Sequence, residues 1–176
     1  MNYIKITKND IANGEGLRVT LWLSGCSHNC KGCHNPQTHN PINGILFDEK
    51  AEDEIFQELN KPYIAGLTFS GGDPLHENNL QDVLNLVNKI RLSLPKKNIW
   101  LYTGYTWEQI MNSNRTPIEP QNALRQAIIL KVDILIDGRY EDDKRDITLK
   151  WRGSSNQRVI DVQKSLNEGE VILYEK

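Results

Sequence analysis

The cysteines of this 176-residue chain are its most chemically specific feature. Cys26, Cys30 and Cys33 are the only three, and they fall within eight residues as Cys-x-x-x-Cys-x-x-Cys. Thiolates offered by one tight loop at this spacing can hold three irons of a [4Fe-4S] cube, whose four irons normally take four cysteines. The fourth iron then has coordination positions open to a small chelating ligand. The amino and carboxylate groups of the methionine part of S-adenosylmethionine (SAM) fit that role, so the spacing predicts radical chemistry.

Structural zinc is the alternative interpretation of the same loop. Cys26, Cys30 and Cys33, with either His28 or His34, offer the ligands of a tetrahedral Cys3His site. Structural zinc loops usually pair Cys-x-x-Cys with a second ligand pair far along the chain, and this sequence has no remote cysteine. The crowding of the three thiols therefore favours an iron-sulfur cluster.

The composition restricts the possible partners and the compartment. The formal net charge is -2, from 21 basic and 23 acidic residues, so no overall field favours nucleic acid or a membrane surface. Three clustered cysteines argue against a disulfide framework and for a reducing compartment, and the N-terminal stretch MNYIKITKND lacks the apolar run of a signal peptide. We expect a cytoplasmic protein, with residues 1–176 forming a single domain.

Strand-like and helix-like segments alternate along the chain. The strand-like segments are rich in large apolar and β-branched residues and each runs into a loop that bears glycine or cysteine: 17–24, 66–70, 98–102 and 132–136. Helical apolar spacing marks 48–60, 79–94 and 107–112. This alternation predicts an α/β fold of parallel β-α units, which places ligands at the carboxyl ends of the strands. The cysteine loop follows one such strand.

The remaining segments are less regular. We expect a proline-broken loop at 116–121 and a charged surface loop at 138–150. Residues 157–162 and 171–174 have the composition of further strands.

Short blocks of sequence resemble a known family. The stretches NGEGLR (13–18) and SGCSHNCKGCHN (24–35) closely resemble the radical SAM activating enzymes of glycyl radical enzymes, and SGGDPL (70–75) resembles the Gly-Gly-Glu/Asp motif of that family. Three further blocks are similar to the subgroup whose substrate is anaerobic ribonucleoside-triphosphate reductase: LYTGYTWE (101–108), IDGRY (136–140) and WRGSSNQRVID (151–161). The chain is identified as a member of this family.

The resemblance implies an activity, a fold and partners. A reduced [4Fe-4S] cluster cleaves SAM to methionine and a 5'-deoxyadenosyl radical, which removes hydrogen from a glycine of the reductase. The expected fold is a partial, open (β/α) barrel of the radical SAM type, and reduced flavodoxin is the expected electron donor. No catalytic side chains beyond the cluster and cofactor are expected. Activation of another glycyl radical enzyme, such as pyruvate formate-lyase, is an alternative that the RGSSNQ block and the short chain disfavour.

The resemblance also implies where SAM binds. Gly71 and Gly72 permit a close approach of the backbone to a ligand, and in the family this loop holds the methionyl ammonium. Asp73 is placed to accept a hydrogen bond or neutralise positive charge there, and capping the following helix is its alternative role. Gly32, Cys33 and His34 are the part of the cysteine loop expected to bind SAM, although relatives often carry an aromatic residue where Gly32 stands.

Three strand-end residues complete the predicted rim of the site. Thr103, Gly104 and Asp137 follow predicted strands, and Thr103 and Asp137 are candidates for bonding the ribose or carboxylate groups of SAM, with strand-end capping as the alternative. The block 152–157 has two possible roles, closing the site or docking the protein partner. His39 and His76 are expected in surface or loop positions.

Overall fold

The computed structural model describes residues 1–111 and 119–175. The strands are β1 (Asn2–Asp10), β2 (Leu17–Leu23), β3 (Ile45–Leu46), β4 (Ile64–Gly71), β5 (Asn98–Tyr102), β6 (Ile134–Asp137) and β7 (Arg158–Asp161). The helices are α1 (Glu49–Leu59), α2 (Leu80–Ser93), α3 (Trp107–Met111), α4 (Pro120–Ile129) and α5 (Val162–Glu168), and two short 3-10 turns lie at Pro36–Thr38 and Asp142–Lys144.

The strands form one open, mixed sheet. Its order is β3-β1-β2-β4-β5-β6-β7, and its centre, β2, β4, β5 and β6, is parallel. The neighbours β1 and β7 pair with this centre in the antiparallel direction, and β3 pairs antiparallel with β1. Helices connect the parallel strands, since such strands need a crossover connection. The predicted α/β class is confirmed, and the sheet does not close on itself.

The two faces of the sheet differ in chemistry because side chains alternate along each strand. One face is apolar and packs with α1, α2 and α4 into the main core, and it includes Leu21 of β2, Phe69 of β4 and Leu101 of β5. The opposite face mixes polar and aromatic side chains, among them Trp22 and Tyr102. The apolar face fixes the sheet and leaves the other face for a ligand.

Helix boundaries follow local chemistry. The side chain of Asp48 accepts a hydrogen bond from the amide of Ala51 and so caps the start of α1. Helix α2 ends at Ser93, just before Pro95, because proline disfavours a helical residue before it and has no amide hydrogen. The helices predicted at 48–60 and 79–94 are confirmed within one or two residues.

The N-terminal residues, for which no element was predicted, form β1, and its pairing with β2 carries two irregularities that interrupt the alternation. Two predictions elsewhere were wrong. Pro120 begins α4 where a loop was expected, since proline suits the first turn of a helix. Of that predicted loop, 116–118 lie outside the described residues, as does Asn112. Residues 171–174 contribute a single bridge, from Leu173 to Ile160, and form no strand.

No helix within the two described ranges is both long enough and apolar enough to cross a membrane.

A buried arginine joins three strands on the polar face. Arg18 of the NGEGLR block is fully buried. It donates from Nε to the Thr68 hydroxyl at 2.7 Å, from Nη2 to the Leu67 carbonyl at 2.9 Å and from Nη1 to the Asn98 side chain at 2.6 Å. Its guanidinium also lies 5.2 Å from the centre of the Trp100 ring. Burial lowers the pKa of Arg18 to about 10.

Replacing this arginine is expected to destabilise the fold. Arg18→Ala leaves the Thr68 hydroxyl and the Leu67 carbonyl without their donor in the interior, which costs about 3–5 kcal/mol of unfolding free energy. Urea unfolding of the metal-free protein measures the difference. The exposed Arg145 supplies the control, because Arg145→Ala should stay within about 0.5 kcal/mol of the parent. A loss below about 1 kcal/mol for Arg18→Ala would contradict this role.

Candidate functional site

A cavity of about 580 Å³ opens at the carboxyl ends of the parallel strands. It brings together most of the residues singled out from the sequence: Cys26, Cys30, Cys33, His34, Gly71, Gly72, Asp73, Thr103 and Gly104. These residues come from the loops after β2, β4 and β5, as expected for ligand sites in parallel β-α units. The charged segment after β6 forms the opposite wall.

Backbone hydrogen bonds join the cysteine loop to the Gly71-Gly72 loop. The amide of Gly72 donates to the Leu23 carbonyl at 2.8 Å, and the amide of Asp73 donates to the Gly25 carbonyl at 2.7 Å. Because both amides are used inside the protein, the polar backbone groups that this loop can offer a ligand are its carbonyl oxygens. The two loops are held side by side before any ligand binds.

The glycines of this loop are required by close backbone contacts. A Cβ at Gly72 would lie 2.5 Å from the Gly25 carbonyl oxygen and 3.0 Å from that of Thr38. Gly71 has a φ of 102°, which side chains rarely adopt, and a Cβ there would lie 2.6 Å from the Leu23 nitrogen.

Asp73 is the polar centre of the site. Its carboxylate is buried and accepts hydrogen bonds from the Thr103 hydroxyl at 2.9 Å to each oxygen, from the Gly104 amide at 3.0 Å and from the Leu75 amide at 2.8 Å. The His28 Nε2 lies 2.6 Å from Oδ2. Asp73 therefore joins the ends of β4 and β5 to the cysteine loop. It does not cap α2, whose cap position is Asn79, so that alternative was wrong.

Two of the thiols lie in a setting that opposes their ionisation. Burial raises the pKa of Cys26 to about 11, and burial also raises the pKa of Cys30. Backbone amides have the opposite effect, since that of His28 lowers the pKa of Cys26 and that of Tyr140 lowers the pKa of Cys30. The Asn35 amide donates a hydrogen bond to the Cys33 sulfur at 3.4 Å.

The two metal hypotheses need different arrangements of the three cysteine sulfurs. Among residues 1–111 and 119–175, no three His, Cys, Asp or Glu side chains are gathered so that they could hold one metal ion. A tetrahedral zinc ion with Zn–S bonds of about 2.3 Å needs its sulfurs within roughly 4 Å of one another. A [4Fe-4S] cube instead spreads its thiolates over separate irons. The three thiols line one cavity, as the ligands of such a cube would.

The two histidines of the zinc hypothesis have other contacts. The Nε2 of His28 is hydrogen-bonded to the carboxylate of Asp73. His34 is exposed on the cavity rim, and its ring centre lies 5.0 Å from that of Tyr140. Its position on the rim leaves its ring accessible to a ligand in the cavity.

The segment after β6 packs over the cysteine loop. The Tyr140 amide and the Arg139 guanidinium both act on the Cys30 thiol and favour its ionised form. A Cβ at Gly32 would lie 2.7 Å from Asp142 Oδ1, so the cysteine loop and this segment are in close contact. The charged run is largely exposed, as expected of a surface loop, and it also forms a wall of the site.

The block 152–157 is hydrogen-bonded to the segment after β6. Gln157 accepts from the Gly153 amide at 2.9 Å and donates to the Gly138 carbonyl at 3.0 Å, and Asn156 donates to the Arg139 carbonyl at 2.8 Å. These contacts hold the segment after β6 in place. Of the two roles left open by the sequence, they favour closing the site.

Two predicted SAM-binding residues are turned away from the cavity. Gly32 faces Asp142. The carboxylate of Asp137 is buried, accepts from the Trp107 amide at 2.8 Å and pairs with Arg158, whose Nε lies 3.0 Å from Oδ1. Thr103 lines the cavity, but its hydroxyl donates to Asp73 and accepts from the Tyr105 amide. These contacts match the strand-end capping alternative.

Several lining residues were missed in the sequence. Trp22, Ser70 and Tyr102 lie on the polar face of three neighbouring strands, and Trp22 is paired with Ser70 in register. Each is one position away from a buried apolar residue, so strand alternation was the available signal. His39, expected in a surface or loop position, also lines the cavity.

Comparison with known proteins gives the class first. Residues 12–160 match the family model described as a 4Fe-4S single cluster domain. The match includes the cysteine loop and every loop that lines the cavity up to Gln157.

Full-length relatives define the family more narrowly. The anaerobic ribonucleoside-triphosphate reductase-activating protein of Pasteurella multocida is 43% identical over 161 residues, covering 90% of this chain and 96% of the relative. The protein of the same name from Escherichia coli K12 is 41% identical, with coverages of 90% and 97%, and that of Enterobacteria phage T4 is 43% identical, with coverages of 90% and 93%. The chain belongs to the family of anaerobic ribonucleoside-triphosphate reductase-activating proteins.

The contact at Gly72 yields a prediction for the assembled site. In Gly72→Ala the new Cβ must displace the Gly25 carbonyl, so the cysteine loop shifts away from the Gly71-Gly72 loop. We expect a loss of about 2–4 kcal/mol in unfolding free energy, together with loss of iron binding after anaerobic reconstitution.

Gly169 provides the control, because a Cβ there meets nothing within 4 Å. Its φ of 76° costs Gly169→Ala only about 1 kcal/mol of strain, and its iron content should equal that of the parent. Normal stability and iron content in Gly72→Ala would contradict the close packing of the two loops.

Proposed function

We propose that this protein activates anaerobic ribonucleoside-triphosphate reductase as a radical SAM enzyme. When bound, a [4Fe-4S] cluster and SAM supply the chemistry: reductive cleavage of SAM gives a 5'-deoxyadenosyl radical that takes hydrogen from a glycine of the reductase. The observation that carries the proposal is one cavity that the three thiols share with the Gly71-Gly72 loop. The reductase is the partner that the names of the relatives give.

Cys26, Cys30 and Cys33 are proposed as the cluster ligands. Their three sulfurs account for three irons and leave the fourth without a protein thiolate, since the chain has no other cysteine. The backbone amides of His28 and Tyr140 favour the thiolate forms of Cys26 and Cys30. Binding iron must displace the thiol protons, and burial opposes this because it raises the pKa of Cys26 to about 11 and raises that of Cys30 above its ordinary value.

The SAM site is proposed to lie between the two loops. The carbonyl oxygens of Gly71 and Gly72 would accept from the methionyl ammonium, and Cys33 and His34 would lie beside the adenine. Asp73, Thr103 and Gly104 form the hydrogen-bonded support under this site. Gly32 and Asp137 would act indirectly, by shaping the cysteine loop and by fixing the end of β6.

The proposal extends to the fold, the electron donor and the cellular compartment. We propose that residues 1–176 are a single radical SAM domain and that its open sheet is a partial barrel with the polar face inside. Reduced flavodoxin is proposed as the electron donor and the cytoplasm as the compartment, where free thiols persist.

The alternatives differ in what they bind or activate. An activase for pyruvate formate-lyase would contain the same cluster but a different protein substrate, and the names of the relatives favour the ribonucleotide reductase. A zinc-stabilised interaction module would need its sulfurs around one ion, and the match to a 4Fe-4S single cluster domain favours the cluster instead.

Anaerobic reconstitution with iron and sulfide tests the proposal. The dithionite-reduced protein should give a [4Fe-4S]+ EPR signal and convert SAM to 5'-deoxyadenosine, and a purified anaerobic reductase should acquire a glycyl radical doublet. Cys26→Ser, Cys30→Ser and Cys33→Ser should each reduce SAM cleavage to background, because each removes a ligand from one iron.

Ser27→Ala is the matched control, since this exposed residue lies in the same loop and its hydroxyl is outside the cavity. It should keep full activity. A colourless, EPR-silent protein loaded with zinc would refute the proposal. A radical formed on pyruvate formate-lyase but not on the reductase would replace the proposed substrate.

A further inference from the structure

His28 lies within the cysteine loop but points into the protein. Its side chain is 5% exposed, although its neighbours Ser27 and Asn29 are exposed. Its Nε2 lies 2.6 Å from Asp73 Oδ2. Because a carboxylate only accepts hydrogen bonds, Nε2 is the donor. The loop that presents three thiols is thus attached to the Gly71-Gly72 side of the cavity by a buried side-chain bond.

The imidazole occupies a space that fits it closely. The edge of the ring packs against Tyr105, with ring centres 4.6 Å apart and planes at 76°. On another side it touches Gly104, where an added Cβ would lie 2.3 Å from His28 Cδ2. A glycine at 104 is therefore needed for the ring to reach Asp73.

The partner of His28 is itself immobilised. Asp73 accepts from the Thr103 hydroxyl and from the amides of Gly104 and Leu75. These donors lie at or just after the ends of β4 and β5, which are parts of the central sheet. A bond to this carboxylate therefore fixes the cysteine loop relative to the sheet.

The cysteine loop is also attached at its base, and farther along at Cys30 and Gly32, which contact the segment after β6. The Gly25 amide donates to Thr38 and the Cys26 amide donates to His39. Between Cys26 and Cys30 the chain includes Asn29 with a positive φ of 49°, so this part makes a tight turn. Within this turn, His28 is the residue whose side chain contacts Asp73 on the Gly71-Gly72 side of the cavity.

We infer that His28 is a positioning residue that sets the distance between the cysteine loop and the Gly71-Gly72 loop. The inference rests on the proposed function, in which the amino group of one SAM molecule would bind an iron through its nitrogen and would donate its hydrogens to the Gly71-Gly72 loop. A loop free to move by about 1 Å would impair that fit, because such displacements alone cost large factors in rate. The role of His28 is to hold Asp73, not to bind metal.

The test compares His28→Ala with His28→Gln in the reconstituted protein. The glutamine amide replaces the Nε2 donor, whereas alanine removes it. For His28→Ala we expect normal iron content, a KM for SAM raised about tenfold and a weakened SAM-induced change in the cluster EPR spectrum. His28→Gln should recover most of both properties.

His76→Ala serves as the control for loss of an imidazole, since His76 lies outside the cavity, and it should keep the parent KM. A parent KM and a parent EPR change in His28→Ala would overturn the inference. If His28→Ala takes up no iron, recovery of iron by His28→Gln supports positioning, because glutamine restores the hydrogen bond. Loss of iron from both variants would assign His28 to the metal and also overturn the inference.

A second measurement separates this inference from the proposed function. In the iron-free protein, the alkylation rate of the three thiols reports how firmly the loop is held. We expect it to rise about tenfold in His28→Ala and to stay within about threefold of the parent in His28→Gln and in Ser27→Ala, whose exposed side chain lies outside the cavity. Equal rates in His28→Ala and the parent would refute positioning even if the cluster chemistry stands. If the parent binds no cluster, the proposed function fails on its own, and the KM and EPR effects expected for His28 fail with it.

Discussion

The site depends on one buried carboxylate that has no freedom to move. Asp73 follows two glycines at the end of β4, and its oxygens accept from donors on the next strand end, on its own turn and on the cysteine loop. A buried charge is tolerated only when hydrogen bonds replace its lost solvent, so these contacts must form together. The result is that two loops far apart in the sequence acquire a fixed separation before a ligand arrives. A site that holds a cluster and a cofactor in contact, as proposed, would benefit from such preorganisation.

The sheet supplies the rigid frame for that carboxylate. Its apolar face is packed by α1, α2 and α4, which leaves the other face available for function. The part of that face farther from the cavity is filled by the side chains of Arg18 and Trp100. The ring centre of Trp100 lies 4.9 Å from that of Trp151 and 5.6 Å from that of Tyr174. The cavity is thereby confined to the carboxyl ends of the strands, where the loops converge. The same alternation of side chains that builds the core therefore also determines where the ligand site lies.

Much of this arrangement could be predicted from the sequence, because it depends on local patterns. Apolar spacing gave α1 and α2 to within a residue or two, and the cysteine spacing pointed to the loop that lines the cavity. The contacts of Asp73 and Asp137 could not be predicted, because their partners are 30 or more residues away in most cases. The role of the segment after β6 could not be predicted either, because its contact with the cysteine loop also joins residues far apart in the sequence. A run of charges looks like a solvated loop unless one knows that the backbone of Tyr140 reaches Cys30.

The proposal depends on Cys26, Cys30 and Cys33 holding a [4Fe-4S] cluster that would leave one iron free to bind SAM. Mössbauer spectroscopy of the protein reconstituted with 57Fe, recorded with and without SAM, tests it most directly, because it counts irons by their environment. The account predicts that about one quarter of the iron signal changes on addition of SAM while the remainder stays the same. A spectrum in which SAM changes no iron, or one without a four-iron cluster, would contradict the claim.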